Sequence, residues 1–165
     1  MLRERERKVL IELLKDGRKP DKHIANDLRM TQPTVTRIRQ KLEKTGMIRS
    51  YRPVVSEKKL GFTITVLTFF IWHDSSETKE IKECIDYIVR HPHVTYFAEG
   101  EGLRGKNAVI LSLHIDFADY ENFMHELREK FGKHIYGFEQ FVHSMDAIAK
   151  HDRAHTLIHG ISKLP

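Results

Sequence analysis

The chain has 165 residues, 40% of them hydrophobic, and its 28 Lys and Arg against 23 Asp and Glu give a formal net charge of +5. That length suits one large domain or two small ones, and the apolar content supplies ordinary folded cores, which excludes wholesale disorder. The longest apolar run, residues 66–72, is broken by Thr68 and falls far short of the roughly 20 residues of a membrane span, and the opening MLRERERKVL is charged where a secretory signal is apolar, so a soluble, cytoplasmic protein with no membrane partner is expected.

Charge is spread unevenly. Residues 1–60 hold 17 of the Lys and Arg and 8 of the Asp and Glu, whereas the remaining 105 hold 11 and 15. A basic head on a mildly acidic body points to a polyanionic partner for the head. Its first periodic stretch sets Val9, Leu10, Leu13 and Leu14 on one side of a helix over about 3–15, which Gly17 can stop. Asp21 stands at an N-cap position, with Ile24, Ala25 and Leu28 spaced for one face of a second, short helix. Thr31 supplies another cap, Pro33 is tolerated in a first turn, and a third helix over 32–44 is closed by Gly46. On that helix Val35, Ile38 and Leu42 form one narrow apolar stripe, and Pro33, Thr36, Arg37, Gln40, Lys41 and Lys44 cluster opposite. Arg pairs bidentately with guanine and Gln with adenine in a major groove, while Lys and Thr more often hold phosphate. Three short helices ending in such a face predict a helix-turn-helix whose third helix reads DNA.

The run ERKVLIELLKDGRKPDKHIANDLRMTQPTVTRIRQKLEKTGMIRSYRPVVSEKKLGF, with its TQPTVTRIRQKLEKTGMI, resembles the N-terminal half of the Lrp/AsnC, or feast/famine, transcription regulators over about the first 62 residues. The resemblance implies a recognition helix on double-stranded DNA, with Gln32, Thr34, Thr36, Arg37 and Gln40 approaching base edges. Lys41, Lys44, Arg49 and Arg52 are candidates for phosphate contacts, with Arg39 nearer the buried side. It also implies that residues 48–55 form an extended linker helping to pair two subunits. Pro53 blocks helix there on its own account and biases its predecessor toward β.

From Phe62 the rhythm changes. FTITVLTFFIW alternates and then becomes apolar on both faces, as in a strand whose sheet is covered on both sides. A helix over 77–90 follows with Ile81, Ile85 and Ile88 in a stripe that also takes in the single Cys84. Then come strand VTYFAE, strand NAVILSLHID, a helix over 120–131 and strand IYGFEQFVHSM. The predicted class is α+β, a (winged) helix-turn-helix domain followed by a ferredoxin-like β-α-β-β-α-β domain. Boundaries are expected at 1–47 for the first domain, 48–61 for a linker strand, 62–145 for the second domain and 146–165 for a helical tail.

Between the second and third strands stands GEGLRG, a literal G-x-G-x-x-G over 100–105. A dinucleotide fingerprint must open a helix, so that its N-terminus meets the pyrophosphate, and here a strand follows. The glycines therefore read as a turn. The Lrp/AsnC resemblance places an amino-acid effector near this turn, around a Gly-x-x-Asp pattern, making Gly100, Glu101, Gly102, Arg104 and Asn107 the candidate effector residues. Asn107 stands where the Asp is expected, and a neutral amide lacks the charge to hold an ammonium group. The same resemblance implies homodimers packed sheet to sheet, assembling further to as many as eight subunits.

Two other readings come from the remaining residues. His151, His155 and His159 repeat at i, i+4 and i+8, and two neighbouring imidazoles could ligate Zn or Ni in a metal-responsive regulator; the third would lie about 12 Å from the first and could not share the ion. His91 and His93, flanking Pro92, mark a loop. A sirohaem-decarboxylase-like enzyme on the same architecture is the alternative of a different class, although no catalytic motif demands it. No cofactor and no metal ligand set is assigned from the sequence.

Overall fold

The computed structural model describes residues 2–72, 79–150 and 152–163. They divide into two compact units, one of residues up to Val55 together with those from Lys150 onward, the other Ser56–Ala149.

The first unit is helical. Helix α1 (Glu4–Lys15) buries Val9, Leu10 and Leu13, α2 (Asp21–Asp27) buries Ile24 and Ala25, and α3 (Gln32–Lys44) buries Val35 and Leu42. These spacings are single helical faces, and Val9, Leu13, Ile24, Ala25 and Val35 meet in one core ringed by Leu28, Met30, Ile38 and Ile48. Thr31 caps α3 by accepting from the Thr34 N–H at 3.4 Å, and Gly46 ends it with φ +71°. Asp21 is not the cap expected of it: Pro20 takes that position, and Asp21 opens the helix with its carboxylate turned to α3. The linker strand expected over 48–61 pairs with no other described strand of the chain itself. Among its described residues there is no strand; Pro53 lacks an N–H for a ladder, and Lys58–Leu60 instead make a 3-10 turn ended by Gly61 at φ +98°. Helix α6 (Ala154–Ser162) belongs to this unit and lies against α1, with Ala154, Ile158 and Ile161 half-buried at helical spacing.

In the second unit, β1 (Ile64–Trp72), β2 (Val94–Gly102), β3 (Lys106–His114) and β4 (Ile135–Ser144) form one antiparallel sheet in the order β2-β3-β1-β4. Helices α4 (Lys79–Arg90) and α5 (Phe117–Phe131) bury Ile81, Cys84 and Ile88, and Tyr120, Phe123, Met124 and Leu127, in a common core with Val66, Phe70, Ala108, Ile110 and Ile135 of the sheet. This is the expected ferredoxin-like plan. The expected start of α4 at Glu77 lies outside the described residues. Helix α5 begins three residues earlier than expected because Asp116 caps it, accepting from the Asp119 N–H at 2.8 Å. Register shifts between Phe69 and Ile71, where Gly137 of β4 adopts φ +63° and an added Cβ would stand 3.3 Å from Ile71, so the bulge needs a glycine.

The opposite face of the sheet is also apolar but less covered. Leu67, Phe69 and Ile71 of β1 are half-buried, and Tyr96 and Phe141 are exposed on the flanking strands. Among the described residues no helix is long and apolar enough to cross a membrane.

Phe70 is fully buried and meets Trp72 edge-on with ring centroids 5.1 Å apart. Phe70→Ala is expected to cost the Ser56–Ala149 unit about 3–5 kcal/mol, read as a lower denaturant midpoint; a loss below about 1 kcal/mol would show that the core is not organised around this ring.

Candidate nucleic-acid interface

Helix α3 is positioned by polar contacts as much as by its apolar stripe. Arg39 donates from Nε to Asp21 Oδ1 at 2.6 Å and from Nη2 to the Lys19 carbonyl at 2.7 Å, and its guanidinium lies 5.7 Å from the centre of the Tyr51 ring. The Tyr51 hydroxyl donates to Glu43 at 2.8 Å. Arg39 therefore clamps α2 and the segment after α3 onto α3, and its donors are turned inward. Thr36 donates to the other oxygen of Asp21 at 2.7 Å, and Thr34 shares a 2.8 Å hydrogen bond with Thr31 at the cap. Lys41 pairs with Glu6 of α1 at 2.6 Å.

Those contacts divide the sequence-derived candidates. Thr34 and Thr36 are half-buried and engaged in holding the helix, whereas Gln32, Arg37, Gln40 and Lys44 are exposed. Gln32, Pro33, Thr36, Arg37 and Gln40 together line a shallow concavity of about 480 Å³. Among the described residues the side chains of Arg37, Gln40, Lys44, Arg49 and Arg52 have no hydrogen-bond or ion-pair partner. The face thus offers one amide at its N-terminal end, a guanidinium and a second amide near its middle, and cations toward its C-terminal end and beyond, an arrangement able to hydrogen-bond base edges while neutralising phosphates. Sequence reasoning missed Asp21 as the residue that orients this face, because the Asp21–Arg39 pair spans 18 positions and two helices.

Glu12 is the other internal anchor. It is buried on α1, accepts from Lys15 at 2.7 Å and also pairs with Lys19, which reaches Asp27 of α2 at 2.5 Å. The Lys15 hydrogen bond, followed by that of Lys19, holds the Glu12 carboxyl below the usual range, and the Lys41 hydrogen bond does the same for Glu6.

In the second unit the glycine-rich run is the end of β2, a short 3-10 turn at Leu103–Gly105 and the start of β3. Arg104 adopts φ +59°, and Gly102 and Gly105 take φ of +148° and +82°, so the glycines serve a hairpin between antiparallel strands, not the mouth of a helix. Gly100, Glu101, Gly102 and Asn107 line a small hollow of about 140 Å³ beside Phe69 and Lys106. Arg104 is exposed next to it. Asn107 is committed elsewhere: its Oδ1 accepts the backbone N–H of Trp72 at 3.0 Å, closing β1 beyond its last paired residue with β3. Lys106, buried along its side chain, pairs with Glu139 at 2.9 Å. Of the tail histidines, His155 and His159 are exposed on α6, and His151 lies outside the described residues.

Residues 2–49 match the winged helix-turn-helix DNA-binding family. An uncharacterized HTH-type transcriptional regulator of Pyrococcus furiosus is 31% identical over 98 residues, which cover 58% of this chain and 64% of that protein, so the chain spans just under two thirds of the relative's length. The crystal structure of an AsnC family transcriptional regulator from Agrobacterium tumefaciens superposes with a TM-score of 0.82 at 19% identity, covering 92% of this chain and 95% of that one. A transcriptional regulator of Neisseria meningitidis solved as an L-Met complex gives 0.81 at 13% identity, over 93% and 96%.

The lowered carboxyls set an acid limit. A depressed folded pKa contributes stability that is present above the unfolded Glu value of about 4.3 and is lost as pH falls through the folded one. The helical unit should therefore lose thermal stability on acidification below about pH 4, and Glu12→Gln should lower stability at neutral pH while flattening that acid dependence; an unchanged slope would remove Glu12 as its source. Residues 2–49 thus match a winged helix-turn-helix DNA-binding model, and the fold along nearly the whole chain is similar to that of solved structures that include an AsnC family transcriptional regulator.

Proposed function

We propose that the protein is a DNA-binding transcription regulator of the Lrp/AsnC type, acting in the cytoplasm as a dimer or higher oligomer. The observation that carries the reading is the division of labour on α3: Arg39 and Thr36 are fixed to Asp21, while Arg37 and Gln40 project from the same helix with no partner among the described residues. Arg37 and Gln40 read base edges in the major groove, assisted by Gln32, and Lys44, Arg49 and Arg52 hold phosphates. Lys41 can join them by exchanging Glu6 for a phosphate, and Thr34 and Thr36 act chiefly by holding the helix. A second copy packs on the half-covered sheet face bearing Leu67, Phe69 and Ile71, whose apolar surface favours a protein partner over water. Two α3 helices related by that symmetry would meet half-sites about one turn of DNA apart.

Arg37→Ala is expected to cost on the order of 1–3 kcal/mol at the cognate site and to relax sequence preference, while Lys44→Ala weakens all duplexes alike and reduces the salt slope by about one. Competition binding on cognate and random duplexes distinguishes them. Equal losses for Arg37→Ala on both would sink its assignment as a base reader.

The hollow at the β2–β3 turn is the proposed effector site, and the Neisseria relative solved with L-Met supports an amino acid as its class. Because the Asn107 oxygen is already used by the Trp72 N–H, the ammonium group falls to Glu101 and the carboxylate to Arg104, with Gly100 and Gly102 allowing close approach. A thermal-shift panel of the twenty amino acids should give one selective response, worth about 2.7 kcal/mol at a hundred times the dissociation constant, and Glu101→Gln should abolish it. A flat panel would leave this loop without an amino-acid ligand.

A further inference from the structure

The most unusual polar cluster in the second unit lies away from both sites just described. His93 precedes β2, His114 ends β3 and Asp119 stands in the first turn of α5. One donor atom from each, all within 4.8 Å of one another, converges on a single point at the edge of the core. His93 Nε2 lies 3.2 Å from Asp119 Oδ1, and His114 Nδ1 lies 3.5 Å from Asp119 Oδ2. The two imidazoles stack with centroids 4.8 Å apart.

The hydrogen bonds behind these atoms decide what the cluster needs. His93 Nδ1 stands 3.0 Å from the Leu113 carbonyl, which can only accept, so Nδ1 carries a proton, and Nε2 faces the Asp119 carboxylate. His114 is fully buried; its Nε2 bonds Ser112 Oγ at 2.9 Å, and its Nδ1 is buried with no hydrogen-bond partner. Burial, and after it the neighbouring His93, hold His114 well below the usual imidazole range, which keeps that ring neutral. Asp119 is fixed by accepting from the Ile115 N–H at 3.2 Å. Two ring nitrogens and one carboxylate thus converge, and of these His114 Nδ1 is buried with no hydrogen-bond partner among the described residues. A proton on His93 would satisfy one contact and leave His114 Nδ1 orphaned; a divalent ion would satisfy all three.

We propose that His93 Nε2, His114 Nδ1 and an Asp119 carboxylate oxygen form a binding site for a divalent first-row transition ion, of which zinc is the probe. Ligand atoms about 2.0–2.1 Å from zinc at tetrahedral angles stand about 3.4 Å apart; each imidazole nitrogen lies 3.2 or 3.5 Å from one or other Asp119 oxygen and the three ligand atoms lie within 4.8 Å, so small side-chain shifts close them on an ion. Two imidazoles select such ions over magnesium or calcium, which take oxygen. The Leu113 carbonyl and Ser112 hydroxyl provide the outer hydrogen bonds that orient metal-bound imidazoles. His93 and Asp119 are partly exposed, with side-chain accessibilities of 24% and 21%, so the ion can enter and keep a fourth position for water. Bound there, it clips the start of β2, the end of β3 and α5 together. This site differs from the tail histidines, and it does not depend on the DNA-binding reading.

The test titrates the chelator-stripped full-length chain with zinc against a chromophoric competitor. One tight equivalent per chain is expected, together with a raised thermal midpoint. His93→Gln and Asp119→Asn should each lower the affinity by on the order of 100-fold or more, with an unchanged far-UV spectrum, while a His155→Gln/His159→Gln double variant keeps it. The amide introduced by Asp119→Asn retains an oxygen for the Ile115 N–H, so that hydrogen bond survives the change. Should the single variants fail to fold, X-ray absorption of the cobalt-loaded wild type reads the shell directly: two imidazoles with oxygen support the site. An all-oxygen shell, no tight equivalent, or binding lost only in the tail variant would overturn it.

Discussion

Two helices can cover only one face of a four-stranded sheet, and most of the second unit follows from that constraint. Strands β1 and β3 occupy the centre, so they must contribute to a core on the helical side, where Val66, Phe70, Ala108 and Ile110 are buried. Yet the residues that alternate with them, Leu67, Phe69, Val109 and Leu111, are apolar as well. An antiparallel sheet that faces water on one side ordinarily alternates with polar residues. The sequence of β1 and β3 is therefore written for two covered faces, and the helices of this unit cover one of them. Thr68 shows the other side of the constraint: it points into the dry, helical face, and its hydroxyl is buried with no partner among the described residues.

In the helical unit the equivalent organising element is an ion pair. Asp21 receives Arg39 on one oxygen and Thr36 on the other, so a single carboxylate fixes two positions of α3 separated by almost one turn. The charge is only partly exposed, at 17% for Asp21 and 18% for Arg39, which makes removal of one partner more costly than loss of a surface pair. Rotating α3 to expose Arg39 would break three contacts at once and carry Arg37 and Gln40 away from the open side. The clamp thus determines which of the many polar residues on this helix are available to a ligand.

How legible these features are depends on their range. Helices α1 and α3 are readable to within a residue, because apolar spacing, Thr31 and Gly46 all act locally. The sheet plan is readable from the order of periods, and the strand after GEGLRG is enough to exclude a dinucleotide loop. The start of α5 escapes the sequence because Asp116 looks like the end of a strand until its carboxylate is seen on the Asp119 N–H. Asn107 reads as a lost ligand group when its oxygen is committed to the Trp72 backbone, 35 residues away. His114 gives no signal at all: it continues the buried alternation of β3, and only the folded chain brings it to His93 and Asp119. Pairings across tens of residues depend on register and helix docking, which no local pattern encodes.

The basic head illustrates the same point for charge. Its excess of Lys and Arg predicts attraction to a polyanion, but several of the cations themselves are engaged internally: Lys15 and Lys19 serve Glu12, Lys41 serves Glu6, and Arg39 serves Asp21. What remains unpaired among the described residues includes Arg37 and Lys44 on α3 and Arg49 and Arg52 just after it. A long-range field sums all charges and sets the rate at which a polyanion is met, whereas a bound complex depends on the few groups whose geometry is free to change partners. Net charge therefore describes the approach to a polyanion, and the internal ion pairs, by subtracting themselves from the exposed set, determine where on the unit that approach can end.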